Sequence, residues 1–234
     1  MNREGTFSSS SIYQLVKKGT GNKEFSAPGV KYIKEKSYEI RLQRELSNDH
    51  GSRPTMWGKL VEKRAFDLIE EWDYKLQSKT RYKHPELLWT GAPDIVSDKV
   101  SGDIKCPFTM KSFCELVDII DSRSIEVFKA EKPEYYWQLV SNAILTGLDE
   151  ALFVVYCPFQ NELDGIRDMA ENYDGDQNKL AWLGWATDEE LPHLVEEGTF
   201  ENLNTWEFTI PQEDKDFLTE RVRMAEVELK KLLK

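Results

Sequence analysis

Asp94, Asp103 and Lys105 stand in the stretch GAPDIVSDKVSGDIKCPF, which reads as two short β-strands joined by a polar turn that holds Asp98 and Lys99. Strands disfavour aspartate and protein interiors disfavour charge, so Asp94, Asp103 and Lys105 require an explanation. Residues two apart in a strand point to the same side, so Asp103 and Lys105 project together while Ile104 faces apolar neighbours. If a turn brings Asp94 beside Asp103, the carboxylates repel each other unless a cation lies between them. Oxygen ligands of this kind select Mg²⁺ or Mn²⁺, so the segment predicts a divalent metal site.

Two further polar residues are candidates for the same site, and each has an ordinary alternative. Glu62 borders the apolar stripe of a helix that begins near Trp57, so it can reach a site on the sheet. Considered alone, it could equally be one of several solvated glutamates. Gln138 stands in a Tyr-x-x-Gln helix, where a single glutamine usually faces solvent. The order is more informative: a helical Glu, then P-D, then D-x-K on a strand, then the glutamine helix.

That order resembles the PD-(D/E)xK nucleases, and within them the lambda-exonuclease-like group that includes the YqaJ-type viral recombinases. Four local matches carry the resemblance and together cover about residues 3–160. REGTFSSSSI resembles the opening of the family, and WGKLVEKRA resembles its tryptophan-glycine helix, with the acidic ligand at Glu62. APD…GDIKCPFTMKSF resembles the core motif, and YYWQLVSNAILTG places Gln138 at the family's active-site glutamine.

Three positions depart from the family's pattern. Ile95 follows P-D where the family usually has glycine, which changes the turn but not the ligand. Asp103 stands where glutamate is frequent, so the carboxylate is one methylene shorter and metal geometry or preference can shift. Ala92 stands where a serine often helps to hold the phosphate of the DNA end, which weakens the expectation of phosphate binding there.

The resemblance implies a role for each residue of the site. The expected metal ligands are the side chains of Asp94 and Asp103, the carbonyl of Ile104, and Glu62 directly or through water. Lys105 is expected to orient the attacking water and help to deprotonate it, while staying charged among the carboxylates. Gln138 is expected to hydrogen-bond that water or the phosphate.

The resemblance also implies contacts to DNA. Arg3 and Ser10 are the expected 5′-phosphate ligands, although a terminal arginine and a plain helix cap are the ordinary alternatives. The candidates for contact with the DNA backbone are Arg53, Lys59, Lys63 and Arg64. Met56, next to the start of the helix, is a candidate wedge between bases.

The implied activity is a Mg²⁺-dependent exodeoxyribonuclease that uses one or two ions, with Mn²⁺ as a substitute. It digests linear double-stranded DNA 5′ to 3′ from a phosphorylated end, making single strands for recombination. The implied assembly is a homotrimer that works with a single-strand annealing protein. The alternatives are an endonuclease or single-strand exonuclease of the same fold, a catalytically inactive DNA-binding or inhibitor module, and an RNA-directed enzyme.

The amino-acid composition limits which of these functions and locations are possible. The chain has 40% hydrophobic and 31% charged residues, as in ordinary globular proteins, and its apolar runs are too short to cross a bilayer, so we expect it in the cytoplasm, that of the host if it is viral. Residues 1–117 carry 20 Lys+Arg against 16 Asp+Glu, and the remainder 11 against 26. The net charge of −11 therefore does not exclude DNA. The three cysteines lack zinc-site spacing and are expected to be buried thiols.

Periodicity indicates an α/β domain with a central mixed β-sheet, and the resemblance implies the restriction-endonuclease-like form of that fold, with the sheet flanked by helices. We expect a single domain over 1–234, with a motif-bearing core and a C-terminal strand and helix in 200–234. Six helices are predicted. The first three run from the serine run to Gly19, over residues 30–47, and for about four turns from Trp57. The others are residues 109–122, the helix that carries Gln138 and a helix that closes the chain. The predicted strands are a hairpin around 97–99, a central strand at EALFVVYCPF and a strand at TWEFTIP. The segment NYDGDQNK is expected to be an acidic loop or hairpin.

Overall fold

The computed structural model of the protein describes residues 4–46, 51–69, 75–76 and 80–234. In these ranges the strands are β1 (Phe7–Ser8), β2 (Lys75–Leu76), β3 (Tyr82–Lys83), β4 (Trp89–Gly91), β5 (Ile95–Val96), β6 (Val100–Lys105), β7 (Glu150–Tyr156) and β8 (Leu203–Thr209). The α-helices of the same ranges are α1 (Ala27–Leu42), α2 (Arg53–Ile69), α3 (Met110–Ser122), α4 (Ile125–Glu131), α5 (Pro133–Thr146), α6 (Leu163–Glu171) and α7 (Gln212–Leu232).

The larger sheet of the described chain has the strand order β2-β5-β6-β7-β8. β6 and β7 are parallel, with Asp103 opposite Phe153, whereas the other neighbouring pairs are antiparallel. β7 has neighbours on both edges and is buried along almost all of its length. The predicted central mixed sheet is therefore confirmed, and so are the hairpin of β5 and β6 and the central position of EALFVVYCPF.

A smaller sheet carries the N-terminal motif. It has the order β1-β4-β3, and β1 runs parallel to β4 with Phe7 opposite Trp89. A 3₁₀ helix, Ser9–Leu15, follows β1 and packs on α5, where Ser9 Oγ lies 2.7 Å from Ser141 Oγ. The N-terminal segment is thus attached to the helix that carries Gln138.

The larger sheet separates two apolar cores because successive residues of a strand face opposite sides. Phe153 and Val155 of β7 pack in the first core with residues of α3, α5 and α7. Leu152 and Val154 pack in the second core with residues of α2 and α6. Ile104 belongs to the second core, so its neighbours Asp103 and Lys105 on β6 face the side of α5.

Local sequence signals explain where the helices of the site begin and end. α2 buries the predicted apolar stripe that includes Trp57, Leu60 and Val61. α5 has proline in its first turn, where the missing N–H costs nothing, and it ends at Gly147 in the left-handed conformation with φ 74°.

Four segments differ from the predicted elements. The serine run forms a short 3₁₀ helix that ends at Leu15, well before Gly19. The helix expected at 30–47 occupies Ala27–Leu42 because Pro28 begins it and Gln43, with φ 53°, ends it. α4 and α6 were not predicted, because α4 is only two turns long and α6 has a glycine near its start. NYDGDQNK forms a loop that runs into a 3₁₀ turn, Gln177–Lys179. None of the helices described is long and apolar enough to cross a membrane.

Candidate active site

The site is built around the end of β6. Asp103 is 1% exposed, and its Oδ2 contacts Lys105 Nζ, two residues further along the same face of the strand. This ion pair accounts for the lysine at a largely covered position, because burying either charge alone would be costly. The expectation that Asp103 and Lys105 project together, away from Ile104, is confirmed.

Gln138 of α5 contacts both charged side chains of β6, Asp103 and Lys105. Gln138 Nε2 donates to Asp103 Oδ1 over 2.7 Å, and Gln138 Oε1 accepts from Lys105 Nζ over 3.2 Å. Tyr135, one turn earlier on α5, lies under the ammonium group, with Lys105 Nζ 4.8 Å from the ring centroid. The amide of Gln138 therefore links the acid and the amine, and its orientation is fixed by both.

Asp94 reaches the same strand from the turn before β5. Its backbone N–H donates to Gly102 O over 3.0 Å, and its Oδ2 accepts the N–H of Ile104 over 2.8 Å. The side chain of Asp94 thus continues the pairing of β5 with β6 by one more hydrogen bond. It is held toward the end of β6 that carries Asp103 and Lys105, as the sequence predicts.

Glu62 belongs to α2, which packs on the opposite face of the sheet from α5. It lines a cavity of about 170 Å³ together with Lys105 and Tyr135. The other residues that line this cavity are Gly58, Ile104, Cys106, Pro107 and Leu116. A Cβ built at Gly58 would lie 4.0 Å from Cys106 O, an ordinary van der Waals contact, so α2 packs beside the chain that follows β6. The cavity joins residues of α2, β6 and α5 in one space.

The acidic groups of the site repel one another. Burial, followed by repulsion from Asp103, raises the pKa of Glu62 to about 7. The pKa of Asp94 is raised well above its usual value, first by burial and then by the charges of Asp103 and Glu62. Burial acts to lower the pKa of Lys105, but Asp103 and Asp94 outweigh it and the net shift is upward. Fully ionised, these acids would carry more negative charge than Lys105 balances, so their pKa is raised, and a bound cation would relieve the repulsion.

The donor chemistry fits a hard divalent ion, although the side chains do not form a finished coordination shell. The available donors are carboxylate oxygens, as Mg²⁺ and Mn²⁺ prefer. Within the described ranges, no group of three His, Cys, Asp or Glu side chains is arranged to hold a metal ion. Asp103 is engaged by Lys105 and Gln138, so the amine lies where a cation would approach that carboxylate.

The expected 5′-phosphate ligands are placed only in part. Arg3 lies outside the described residues. Ser10 is exposed, and its Oγ lies 3.4 Å from Ser8 Oγ at the edge of a cavity of about 500 Å³. Glu35 and Glu39 line that cavity as well, and Lys36 Nζ is paired with Glu39 Oε1 at 2.9 Å. The assignment of Ser10 stays a prediction, in surroundings that are less basic than a phosphate pocket requires.

The candidate backbone contacts on α2 face different surroundings. Lys59 and Lys63 are exposed. Arg64 donates from Nε to Glu162 Oε1 over 3.3 Å while its side chain is 42% exposed, so its contact with DNA stays a prediction. Arg53 is exposed and lies over a tryptophan ring, at 5.0 Å from the centroid of Trp182.

Met56 is not available as a wedge between bases. It is 4% exposed and belongs to the core between α2 and α6. Met56 stands four residues before Leu60, so the apolar stripe extends to it because α2 begins at Arg53 and not near Trp57.

Sequence reasoning missed Tyr135 and Cys106 as components of the site. Tyr135 lies three residues before Gln138, so its position on the same helical face was available once Gln138 was assigned. Cys106 lines the cavity, and burial, followed by the nearby carboxylates, raises the pKa of its thiol well above the usual value. Its role is to pack, as an uncharged side chain.

Solved structures similar to this chain include exonucleases. An alkaline exonuclease from Laribacter hongkongensis, LHK-Exo, is 16% identical with a TM-score of 0.59 over 98% of this chain and 92% of that one, and the figures are the same for LHK-Exo in complex with dAMP. A phage related exonuclease from Haemophilus somnus 129PT is 18% identical with a TM-score of 0.65 over 97% and 95%. No family model and no curated protein matches the sequence. At these identities the likeness establishes the fold alone: the chain shares the fold of these exonucleases.

Proposed function

We propose that this chain is a metal-dependent exodeoxyribonuclease that degrades linear double-stranded DNA 5′ to 3′ from a phosphorylated end. The observation that carries the proposal is the contact set of Asp103, Lys105 and Gln138 at the end of β6. Asp94 and Glu62 lie beside it, each acting electrostatically on the same group of charges. The exonucleases of similar fold support the choice of a nuclease.

Asp94, Asp103 and Glu62 are the residues that would hold the divalent ion, with the carbonyl of Ile104. The N–H of Ile104 points to Asp94, and the N–H and C=O of one strand residue point to the same edge of the strand, which supports that carbonyl as a fourth donor. When bound, Mg²⁺ or Mn²⁺ supplies a water of lowered pKa and a counter-charge for the phosphate oxygens. One or two ions satisfy this role.

Lys105 acts as a charged group that orients the water and stabilises the developing negative charge. Its raised pKa, the result of Asp103 and Asp94 outweighing burial, keeps it protonated in the resting site. A protonated amine donates hydrogen bonds and cannot accept a proton, so its contribution at this stage is electrostatic. Gln138 is hydrogen-bonded to both charged partners and fixes their relative positions. Its amide can also hydrogen-bond a water or a phosphate oxygen.

The finer features of the activity come from the family resemblance. They are the 5′ to 3′ direction, the production of single strands for recombination, the homotrimer, the annealing partner and a location in the cytoplasm. Ser10, and Arg3 outside the described residues, remain the proposed ligands of the terminal phosphate.

The substrate test uses linear duplex, nicked circular, closed circular and single-stranded DNA, each incubated with and without Mg²⁺. We expect progressive loss of linear duplex only, requiring Mg²⁺ and faster when the end carries a 5′ phosphate. Linear duplex labelled separately at each end reports the direction of digestion. Degradation that persists in EDTA would contradict the metal requirement.

The alternatives predict other results in the same experiment. Cutting of closed circles would support an endonuclease, and preference for single strands would support a single-strand exonuclease. Binding without any degradation would support an inactive DNA-binding module, and degradation of RNA alone would support an RNA-directed enzyme.

A further inference from the structure

Trp185 is an exposed tryptophan on the segment between α6 and β8. Its side chain is 79% exposed, and no other large apolar side chain in the described ranges exceeds 57%. Tryptophan buries a large area when it finds a partner, and exposed tryptophans are enriched where proteins bind other molecules. The sequence around it matches no motif of the nuclease resemblance, so its exposure is not explained by the site already described.

A chain of aromatic contacts connects this segment with the active site. Phe108, three residues after Lys105, lies 5.8 Å from Trp182 between ring centroids, with the rings at 82°. The backbone N–H of Trp185 donates to Trp182 O over 3.2 Å, so the two tryptophans are one 3₁₀ turn apart. This 3₁₀ helix ends at Gly184, and Trp185 follows it as an exposed residue one turn after the buried Trp182. Trp185 is therefore the exposed member of an aromatic row that comprises Phe108, Trp182 and Trp185.

Basic side chains flank the row. Arg53, exposed at the start of α2, lies 5.0 Å from the centroid of the Trp182 ring. Lys179 is close to the start of α2 as well, because its Cδ lies 3.0 Å from a Cβ built at Gly51. Arginine and lysine beside an exposed aromatic ring match the two parts of a nucleic-acid strand, its phosphates and its bases.

Acidic residues of the same segment limit what charge alone can do. Asp188 is neutralised by Arg167 at 2.7 Å, but Asp174 and Asp176 are exposed. Electrostatic attraction alone would therefore hold a phosphate only weakly at this segment. Stacking does not depend on net charge, so the ring of Trp185 has to supply the specific part of the contact.

We propose that Trp185 stacks on an unpaired base of the nucleic-acid strand that leaves the active site, with Arg53 and Lys179 against the neighbouring phosphates. This inference rests on the proposed function, because it takes a strand of nucleic acid as the substrate. It assigns a binding role to a segment that lies outside the motifs of the resemblance.

The test measures binding of a labelled single-stranded oligonucleotide by fluorescence anisotropy in EDTA, with the oligonucleotide checked for integrity. Trp185→Ala should weaken binding about 5- to 150-fold, the equivalent of one lost base stack, and Trp185→Phe should recover most of the loss. The matched control is Tyr38→Ala, which removes a half-exposed aromatic ring from α1. It should bind like the wild-type chain.

Oligonucleotides with one abasic position, moved along the strand, make the test specific. One position should weaken wild-type binding as much as Trp185→Ala does, and the variant should lose nothing further there. Wild-type affinity of the Trp185→Ala variant for every oligonucleotide would overturn the proposal. If the wild-type chain binds but cuts no nucleic acid, the proposed function fails, while the ratio of affinities still decides whether the stack exists.

Discussion

Lys105 is the residue on which the proposed chemistry depends most. It contacts Asp103 and Gln138, and among the described residues it is the basic side chain that lines the 170 Å³ cavity. Lys105→Ala should lower the rate of DNA cleavage by at least about 100-fold, because it removes the positive charge next to the reacting phosphate, and should leave DNA binding in place. The matched control is Lys99→Ala, which removes an exposed lysine from the turn of the same hairpin. Equal loss in both variants would contradict the assignment.

The repulsion among the acids makes a second prediction at the scale of single residues. In EDTA, Asp94→Asn should raise the free energy of unfolding by about 1–2 kcal/mol, because it removes one of the mutually repelling charges and keeps an oxygen that can accept the N–H of Ile104. Mn²⁺ should raise the midpoint of thermal unfolding of the wild-type chain and have little effect on the variant.

Asp98→Asn provides the control for this charge effect, because Asp98 is exposed in the turn between β5 and β6. It should change neither the unfolding free energy nor the response to Mn²⁺. A variant Asp94→Asn that is less stable than wild type in EDTA would show that its hydrogen bond, and not its charge, dominates.

At the scale of elements, the junction of β4 with α5 determines where the glutamine helix lies. A Cβ at Gly91 would come within 2.1 Å of Ser9 Oγ and 2.7 Å of Leu145 Cδ1. Gly91→Ala should therefore destabilise the fold by about 2–4 kcal/mol, because the 3₁₀ helix and α5 must move apart. Chemical denaturation with both circular dichroism and fluorescence measures this loss.

Gly165 provides the opposite case in the same measurement. It is exposed inside α6, and a Cβ there would have no neighbour within 4 Å. Gly165→Ala should stabilise the protein by about 0.5–1 kcal/mol through helix propensity. If both alanine variants changed stability in the same direction, the close packing at Gly91 would not be the cause.

The elements that were predictable from the sequence are those in which a periodic pattern and a buried face coincide. The stripe of α2, the alternation of β6 and the continuous apolar run of β7 all place their side chains as expected. The pairing of Arg64 with Glu162 was not predictable, because it joins residues 98 positions apart that share no local pattern. Arg64 was a candidate DNA contact because of its charge alone. The secondary structure between α6 and β8 was not predictable, because short 3₁₀ turns produce no periodic pattern of apolar residues.

At the scale of the whole molecule, α1 and α7 lie side by side with apolar side chains exposed to solvent. Val30 and Leu232, which are 52% and 41% exposed, line one groove of about 290 Å³, and Val227 of α7 is 50% exposed. Exposed apolar groups of this kind are typical of association surfaces. They are consistent with the homotrimer that the family resemblance implies.

The mass of the particle in solution tests that assembly. Light scattering coupled to gel filtration should give about three times the mass of the 27.3 kDa chain. Val227→Asp should lower this mass if α7 contributes to the interface, because a carboxylate would be buried without a partner. A mass equal to one chain at all concentrations would contradict the trimer.

The parallel pairing of β6 with β7 also determines when, during synthesis, the chain can acquire its site. β6 is made early, but its partner β7 ends at Tyr156 and the next strand, β8, comes some fifty residues later, from Leu203 to Thr209. A nascent chain that has only just released Lys105 from the ribosome already has α2 but lacks α5, so Gln138 cannot yet contact Asp103 and Lys105. Ribosome-bound chains arrested before β7 should therefore be inert toward DNA, which a cleavage assay on stalled complexes would measure.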